Sequence, residues 1–456
     1  MKNLLKGLAF GLVLILLLAA CGNGEEDDDA SNTETEETSG EVAGSSQEAN
    51  EEEGSGEKKE ITFWHSMSGD NGEAIEDVVD QFNEQSDSVA VEAIFQGSYE
   101  DSLTKLRAVG GSEEAPAIVQ VFEGGTKYMS ESGFITPMQE FMDADGFDVS
   151  ILEPNILSYY ELDGQLYSMP FNTSNAVMYY NKDMFAEAGL DPENPPRTFS
   201  EMKEAAEVMT TDNTQGFSFA TISWFFEELM ANNGGLIINN DNGRSGDATE
   251  ALVNSEVGAE IVSWVKEMND AGTFRNYGAS WDDPRGPFFA GELGMYFDST
   301  ANLAQVIENS PHEVGTAPMP HADDTDPQGA VVGGASVWIT NQVSEEEQQA
   351  AWEFVKFTTE PAVQAEWAAA TGYFPITPAA YEEDVLTEVY DANPQYLTAV
   401  DQLENTIQSP ATAGALFSIM PEARVIIETA LGEVYEGRDV QEAMDDAAAN
   451  ITDALE

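Results

Sequence analysis

The feature that most constrains the fold is an alternation of strand and helix patterns at the start of the foldable chain. Between short β-prone runs, apolar residues recur at the spacing of one helix face in 75–82 and again in 99–109. The order strand, helix, strand, helix, strand predicts an α/β fold with a mostly parallel sheet and helices on both faces. The three β-prone runs are 61–64, 89–95 and 117–122.

Size and composition predict more than one lobe. Roughly 400 residues remain once residues 1–59 are set aside, which exceeds the size that one hydrophobic core usually serves. Hydrophobic residues make up 42% of the chain, so enough apolar surface is available for two cores. Helical patterns dominate after Arg197, in 200–209, 224–232, 255–270, 345–358 and 361–371.

The charge of the chain is strongly acidic. Lys and Arg total 17 against 85 Asp and Glu, a formal net charge of -68. Such self-repulsion is relieved in concentrated salt, so the composition favours a salt-loving host; an acidic protein from an ordinary environment is the alternative. The chain lacks the basic footprint that nucleic acid requires, so that partner is not expected.

The N-terminus predicts an export signal and a lipid anchor. Lys2 and Lys6 precede an apolar run, 8–18, that is short for a membrane span, and Leu-Ala-Ala-Cys ends at Cys21. This pattern resembles a bacterial lipoprotein signal, with 1–20 removed, Cys21 lipidated and the protein held extracytoplasmically at the cell membrane. The alternative is an ordinary secretory signal with a coincidental cysteine. The acidic, Gly- and Ser-rich segment 21–59 is expected to be a disordered tether.

Six strings carry a resemblance to a known family. The chain resembles the substrate-binding proteins of bacterial glycerol-3-phosphate ABC importers from about Ile61 to its C-terminus. The matching strings are FWHSM from Phe63, IVQVFEGGT from Ile118, PFNTSNAVMYYNKDMFAEAGLDPENPPRT from Pro170, GGASVWI from Gly333, TGYFPIT from Thr371 and MPEARVII from Met420.

The resemblance implies a two-lobed periplasmic-binding-protein type II fold with hinge strands and a central cleft. Lobe 1 is expected to comprise 60–170 and 300–370, and lobe 2 to comprise 171–299 and 371–456. A ligand that touches both lobes stabilises the closed form, which the ABC permease in the membrane then recognises. On this resemblance the protein is a monomeric receptor that captures glycerol-3-phosphate or a glycerophosphodiester.

The resemblance also implies the ligand-contacting residues. Glu123 is expected at the glycerol end of the pocket because an ionised carboxylate accepts hydrogen bonds from hydroxyls and repels phosphate. Gly334 is expected where a backbone amide approaches the ligand. Trp224 is expected to form a pocket wall, with core packing as the alternative. The remaining matching positions are Tyr99, Ser174, Ser299 and Tyr373.

Arg424 is the expected phosphate ligand. The resemblance places it in the pocket, and its planar guanidinium can hold a phosphate through two charge-assisted hydrogen bonds. The alternative is a structural ion pair with some of the many carboxylates.

Two further function classes stay open. The first is a receptor of the same fold for a neutral oligosaccharide, in which Arg424 is a structural ion pair. The second is an extracellular hydrolase, although the sequence contains no recognisable nucleophile and base motif. His65, His312 and His321 lack ligand spacing, so neither a metal site nor a cofactor is expected.

Overall fold

This computed structural model describes residues 58–456. The described part of the chain begins with parallel strands that are joined by helices. The export signal, Cys21 and almost all of the expected tether lie outside the described residues. The first strand begins at Lys59, at the last residue assigned to the tether. The described residues form twelve strands: β1 Lys59–His65, β2 Val89–Phe95, β3 Ile118–Phe122, β4 Ile135–Thr136, β5 Glu161–Leu162, β6 Gln165–Leu166, β7 Met169–Ser174, β8 Ala176–Asn181, β9 Gln215–Phe219, β10 Leu293–Ser299, β11 Val314–Pro318 and β12 Gly333–Thr340.

Helices connect and cover these strands. In the same described range they are α1 Asp70–Gln85, α2 Tyr99–Val109, α3 Thr126–Glu131, α4 Met138–Asp145, α5 Pro154–Tyr160, α6 Lys182–Ala188, α7 Phe199–Met209, α8 Ser223–Asn232, α9 Asn239–Gly243, α10 Glu256–Ala271, α11 Asp282–Phe289, α12 Leu303–Asn309, α13 Glu345–Phe357, α14 Pro361–Thr371, α15 Asp384–Ala392, α16 Gln395–Glu404, α17 Met420–Tyr435 and α18 Val440–Leu455. The segment α9 is a single turn whose central residues have left-handed backbone angles. Short 3-10 helices lie at Glu123–Gly125, Val149–Ile151, Thr300–Asn302 and Pro378–Glu382.

The first sheet has the order β2-β1-β3-β12-β4, and β7 also pairs with β12. The predicted strand and helix order is confirmed, because β1 pairs in parallel with both β2 and β3. The prediction of a mostly parallel sheet also holds for strand direction, because five of the six strands run the same way and only β12 is antiparallel to its neighbours β3, β4 and β7. The crossover rule fixes the direction of strands joined by helices, but β12 arrives from a distant part of the chain.

The second sheet has the order β11-β8-β10-β9, with one parallel pairing between β10 and β9. Strands β8 and β10 are buried along their whole length. The two long C-terminal helices, α17 and α18, pack into the hydrophobic core of this sheet. We call the first sheet with its packed helices lobe 1, and the second sheet with its packed helices lobe 2.

Each lobe has its own hydrophobic core, as the length and composition predict. The core of lobe 1 includes Phe63 and Trp352, and that of lobe 2 includes Phe217 and Trp264. Fully burying a Phe side chain contributes roughly 1.5–3 kcal/mol, so each lobe has a core that stabilises it.

The lobe boundaries differ from the expected ones. The expected second piece of lobe 1 began at 300, yet β11 pairs with β8 in lobe 2. Strand β7 stays with lobe 1 up to Ser174, beyond the expected boundary at 170. Tyr373 and Phe374 belong to the core of lobe 1, although 371–456 was assigned to lobe 2. The chain crosses between the lobes where one strand ends and the next begins, which a linear motif does not reveal.

Candidate functional site

A cavity of about 550 Å³ lies between the two lobes. Its volume falls within the range of roughly 300–1,000 Å³ that is typical of small-molecule sites. The walls come from both lobes, so a molecule bound here would contact both. All of the expected ligand-contacting residues line this one cavity: Tyr99, Glu123, Ser174, Trp224, Ser299, Gly334, Tyr373 and Arg424.

Lobe 1 contributes residues from the ends of its strands. Glu123 directly follows β3, and Ser174 is the last residue of β7. Tyr99 is the first residue of α2, whose N-terminus is closed by a capping box in which Ser98 accepts a hydrogen bond from Asp101 N. Ligands of open α/β sheets bind at this edge, beyond the carboxyl ends of the strands.

Lobe 2 contributes the cationic group. Arg424, in α17, donates from Nε and Nη2 to the two carboxylate oxygens of Glu227, each at 2.8 Å. Its Nη2 also donates to Glu123 Oε1 across the cleft at 2.6 Å. Ser223 Oγ donates to Glu227 at 2.6 Å and fixes the carboxylate that orients the arginine. These four side chains form a buried charge cluster of one guanidinium, two carboxylates and the Ser223 hydroxyl.

Glu123 lies beside the expected phosphate ligand. Its carboxylate, which is expected at the glycerol end of the pocket, forms an ion pair with Arg424. A buried guanidinium needs a compensating charge, and a carboxylate left unpaired at this depth would be costly. The alternative interpretation of Arg424, an ion pair with carboxylates, describes the contacts that this structure contains.

Burial and charge perturb the acids of this cluster. Burial raises the pKa of Glu123, and the Arg424 guanidinium opposes that rise. Burial also lowers the pKa of Arg424, but Glu227 and Glu123 more than compensate and carry it well above its usual value. The guanidinium is therefore charged at every physiological pH.

Glycine leaves room for the guanidinium on lobe 1. A Cβ atom at Gly124 would lie 3.2 Å from Arg424 Nη1 and 2.7 Å from a ring carbon of Phe122. The Arg424 guanidinium lies 5.5 Å from the centre of the Phe122 ring. Sequence reasoning did not single out Gly124, although it stands next to Glu123 in the EGG turn.

The aromatic wall is built around Trp224. Its ring centre lies 5.7 Å from that of Trp281, which is partly exposed in the same cavity. A Cβ atom at Gly333 would lie 2.6 Å from the Trp224 ring, so glycine permits this packing. Among the described residues, the buried Trp224 Nε1 has no hydrogen-bond partner.

Gly334 is required by a neighbouring strand. Its φ is +94°, and a Cβ atom here would lie 1.9 Å from the carbonyl oxygen of Asn172 in β7. The group that approaches Gly334 closely is thus the Asn172 carbonyl, where a ligand is expected from the resemblance. Gly334 also lines the cavity.

The hydroxyl residues differ in how far they are already engaged. Ser299 Oγ accepts a hydrogen bond from Ala301 N at 3.1 Å, which starts a 3-10 turn. The Tyr373 ring stacks on Trp367, with centres 5.5 Å apart, and its hydroxyl donates to Met67 Sδ at 3.8 Å. No side chain in the described range hydrogen-bonds to the Ser174 hydroxyl, which lines the cavity.

A family model for bacterial extracellular solute-binding proteins matches residues 77–398. The chain belongs to this family. Its members are binding proteins rather than enzymes. The solute-binding protein is 35% identical to the sn-glycerol-3-phosphate-binding periplasmic protein UgpB of Pectobacterium atrosepticum over 397 residues, 85% of this chain and 89% of that one. It is 34% identical to UgpB of Escherichia coli over 396 residues, 85% of this chain and 90% of that one.

Two solved structures are similar to this chain in their fold. UgpB from Mycobacterium tuberculosis in complex with glycerophosphocholine has a TM-score of 0.76 and 22% identity, over 88% of this chain and 98% of that one. The cyclic alpha-maltosyl-1,6-maltose binding protein from Arthrobacter globiformis has a TM-score of 0.72 and 25% identity, over 88% and 99% of the two chains. The expected fold is therefore confirmed.

Sequence reasoning missed a second arginine of the solute-binding protein's cavity. Arg285, in α11, lines the cavity and forms a bidentate pair with Asp298 at 2.6 and 2.9 Å. Asp298 also accepts from Ser299 N at 2.7 Å. Only the scarcity of cations could have drawn attention to Arg285, because its acidic partner is one of 85 such residues.

His65 is the histidine that lies nearest the start of the described range. His65 is buried, its Nδ1 accepts from Met67 N at 3.3 Å, and burial lowers its pKa to about 4. Within residues 58–456, no cluster of His, Cys, Asp and Glu could hold a metal ion. The same range contains no helix that is long and apolar enough to cross a membrane.

Proposed function

We propose that this solute-binding protein captures glycerol-3-phosphate or a glycerophosphodiester and delivers it to an ABC permease. The observation that carries the proposal is the convergence of all eight expected ligand-contacting residues, from both lobes, on one cavity that contains Arg424. Similarity to glycerol-3-phosphate-binding relatives over most of the chain supports the same ligand class.

Capture proceeds by exchange of an ion-pair partner. Glu227 holds Arg424 within lobe 2 through two hydrogen bonds, whereas Glu123 reaches it from lobe 1 through one. A ligand phosphate takes the place of the Glu123 carboxylate at Nη2 and also accepts from Nη1, because the fork of the guanidinium suits a phosphate. The displaced carboxylate then accepts hydrogen bonds from the ligand hydroxyls. A ligand held in this way joins the lobes and stabilises the closed form.

A neutral oligosaccharide is the second candidate ligand. Two observations favour it: Arg424 is already neutralised by Glu123 and Glu227, and Trp224 and Trp281 offer the aromatic faces that pack against sugar rings. In this case the charge cluster stays intact when the ligand binds.

Titration calorimetry separates the two candidates. The ligands are glycerol-3-phosphate, glycerophosphocholine and maltotriose, in about 1 M salt to screen the acidic surface. We expect the phosphorylated compounds to bind, and Arg424→Ala to weaken them by roughly a hundredfold, as for loss of a charge-assisted pair. Arg438→Ala is the matched control, because Arg438 is an ion-paired arginine elsewhere on lobe 2. Equal affinity of the wild type and Arg424→Ala for the phosphorylated compounds contradicts the proposal.

We also propose that the protein is a monomeric lipoprotein of a salt-adapted cell. The Leu-Ala-Ala-Cys run ending at Cys21 supports a signal peptide and a lipid anchor at the cell membrane, and the net charge of -68 supports a saline environment. Expression with a radiolabelled fatty acid tests the anchor. Label should enter the wild type and be absent from Cys21→Ser; label in both would contradict lipidation at this residue.

A further inference from the structure

A chain of buried amides lies beneath the lobe 1 wall of the cavity. Gln120 of β3 and Asn172 of β7 are 1% and 0% exposed. Gln120 Oε1 accepts from Ser66 N at 2.8 Å, and Gln120 Nε2 donates to Asn172 Oδ1 at 2.8 Å. Asn172 Nδ2 then donates to the Tyr99 hydroxyl at 2.9 Å. The chain therefore connects the backbone after β1 to a tyrosine of the cavity.

The direction of every bond in this chain is fixed by its first member. A backbone N–H can only donate, so the Gln120 atom facing Ser66 is the oxygen. The Gln120 amine must then face Asn172, and the Asn172 amine must face Tyr99. The Tyr99 oxygen is thus an acceptor on the side of Asn172, and its proton must point elsewhere.

The proton of Tyr99 is retained and points away from Asn172, toward the cavity or the Tyr373 hydroxyl. Burial raises the pKa of Tyr99 well above its usual value, so the phenol stays neutral. Away from Asn172 lie the cavity and the hydroxyl of Tyr373, which also lines it. The thioether that Tyr373 itself contacts, Met67 Sδ at 3.8 Å, is a weak acceptor. Hydroxyl hydrogen-bond donors on this wall are therefore available to a molecule in the cavity.

We propose that Gln120 and Asn172 are positioning residues, which fix the Tyr99 hydroxyl as a hydrogen-bond donor to the bound solute. The inference rests on the proposed function, because it requires a solute in this cavity. It assigns the chemistry recognised at this wall: an acceptor oxygen of a phosphate, hydroxyl or ether. A group that only donates, such as an ammonium, is not matched by the Tyr99 hydroxyl in this orientation.

The test uses Asn172→Asp, which has nearly the same shape, to reverse the last hydrogen bond of the chain from Ser66 to Tyr99, which we call the relay. An ionised carboxylate only accepts, so it draws the Tyr99 proton toward itself and away from the cavity. A protonated carboxyl can still donate to Tyr99, so the effect should grow with pH. Glycerol-3-phosphate and maltotriose are titrated from about pH 5 to about pH 9 into the wild type, Asn172→Asp, Tyr99→Phe and the double variant. Asn181→Asp is the control, because Asn181 is a buried strand-end residue that caps α6 through its oxygen.

We expect Asn172→Asp to bind roughly tenfold more weakly than the wild type at the high-pH end and almost normally at the low-pH end. In the Tyr99→Phe background the same change should cost little, whereas simple charge repulsion or misfolding would cost as much in both backgrounds. Equal losses in the two backgrounds, or no loss at high pH, would overturn the inference. Binding of maltotriose but not of glycerol-3-phosphate would contradict the glycerol-phosphate proposal. The relay would then be tested with maltotriose as the ligand. Binding of neither compound by the wild type would overturn both.

Discussion

Gly124 controls how closely lobe 1 approaches the arginine of the site. A methyl group at this position would contact Arg424 Nη1 at 3.2 Å and overlap the Phe122 ring at 2.7 Å. We expect Gly124→Ala to displace the guanidinium and weaken phosphate binding by roughly tenfold. Calorimetry on Gly111→Ala provides the control, since nothing lies within 4 Å of its added carbon. Unchanged affinity in Gly124→Ala would mean that the position of Arg424 does not govern binding.

Glu228 links folding stability to pH. It is fully buried, and burial raises its pKa well above the usual value. The folded state therefore holds a proton that the unfolded state releases above about pH 4.3, and stability falls as pH rises toward the folded-state pKa. We expect Glu228→Gln to flatten this decline and to be more stable than the wild type near pH 8. Urea unfolding at several pH values tests it, with the exposed Glu207→Gln as control; parallel curves for wild type and Glu228→Gln would refute it.

The residues of the site were predictable to different degrees. The six family strings contain five of the eight expected residues, whereas Tyr99, Trp224 and Ser299 lie in stretches outside those strings. Glu227 was not found, since it lies 197 positions from Arg424 and no spacing rule joins them. The ion pair of Glu123 with Arg424 does not follow from ligand chemistry, because it reflects the need of a buried arginine for a counter-charge.

Helix α17 joins the lobes through two ion pairs. It supplies the cation of one pair and the anion of the other. Arg424 pairs with Glu123 of lobe 1, and two residues earlier Glu422 accepts from Arg107 of lobe 1 at 2.7 Å. The pair of Arg107 with Glu422, which we call the outer pair, is partly exposed, so it contributes about 1 kcal/mol or less. It can still bias closure, because the open and closed forms of binding proteins differ by only a few kcal/mol.

A charge swap tests the outer pair. Arg107→Glu places two like charges across the cleft, so ligand affinity should fall a fewfold in dilute buffer. Adding Glu422→Arg should restore much of it, and about 1 M salt should reduce both effects by screening. Calorimetry on the single and double variants measures this. A double variant no better than Arg107→Glu would show that the pair does not act across the cleft.

Elements were predictable where their signal is local. The bounds predicted for β2 and α2 match the structure, because strand-prone residues, a capping serine and helical periodicity occur within each segment. The strands of the second sheet were missed. Strands β8 and β10 are buried on both faces, so they lack the alternation that distinguishes a strand from a buried helix.

For the whole molecule, net charge sets the conditions under which the two lobes fold. Most of the -68 net charge must lie on the surface, since the cores are apolar, and self-repulsion there opposes compaction. The N–O distances of the ion pairs at the cleft are shorter than any Debye length reached in ordinary buffers. These pairs therefore survive salt that screens distant carboxylates. Added salt should therefore stabilise the fold more than it weakens the site.

The form of the salt dependence distinguishes screening from other effects of salt. The Debye length shrinks from roughly 30 Å at 0.01 M to about 10 Å at 0.1 M and about 3 Å at 1 M, so most of the screening is complete early. Thermal melts in sodium chloride should therefore rise by several degrees below about 0.3 M and then level off. Exclusion of a solute from the surface acts in proportion to its concentration, so a sucrose series should give a straight line instead. A melting temperature that ignores salt, or that climbs evenly through molar concentrations, would remove charge repulsion as the factor that limits folding.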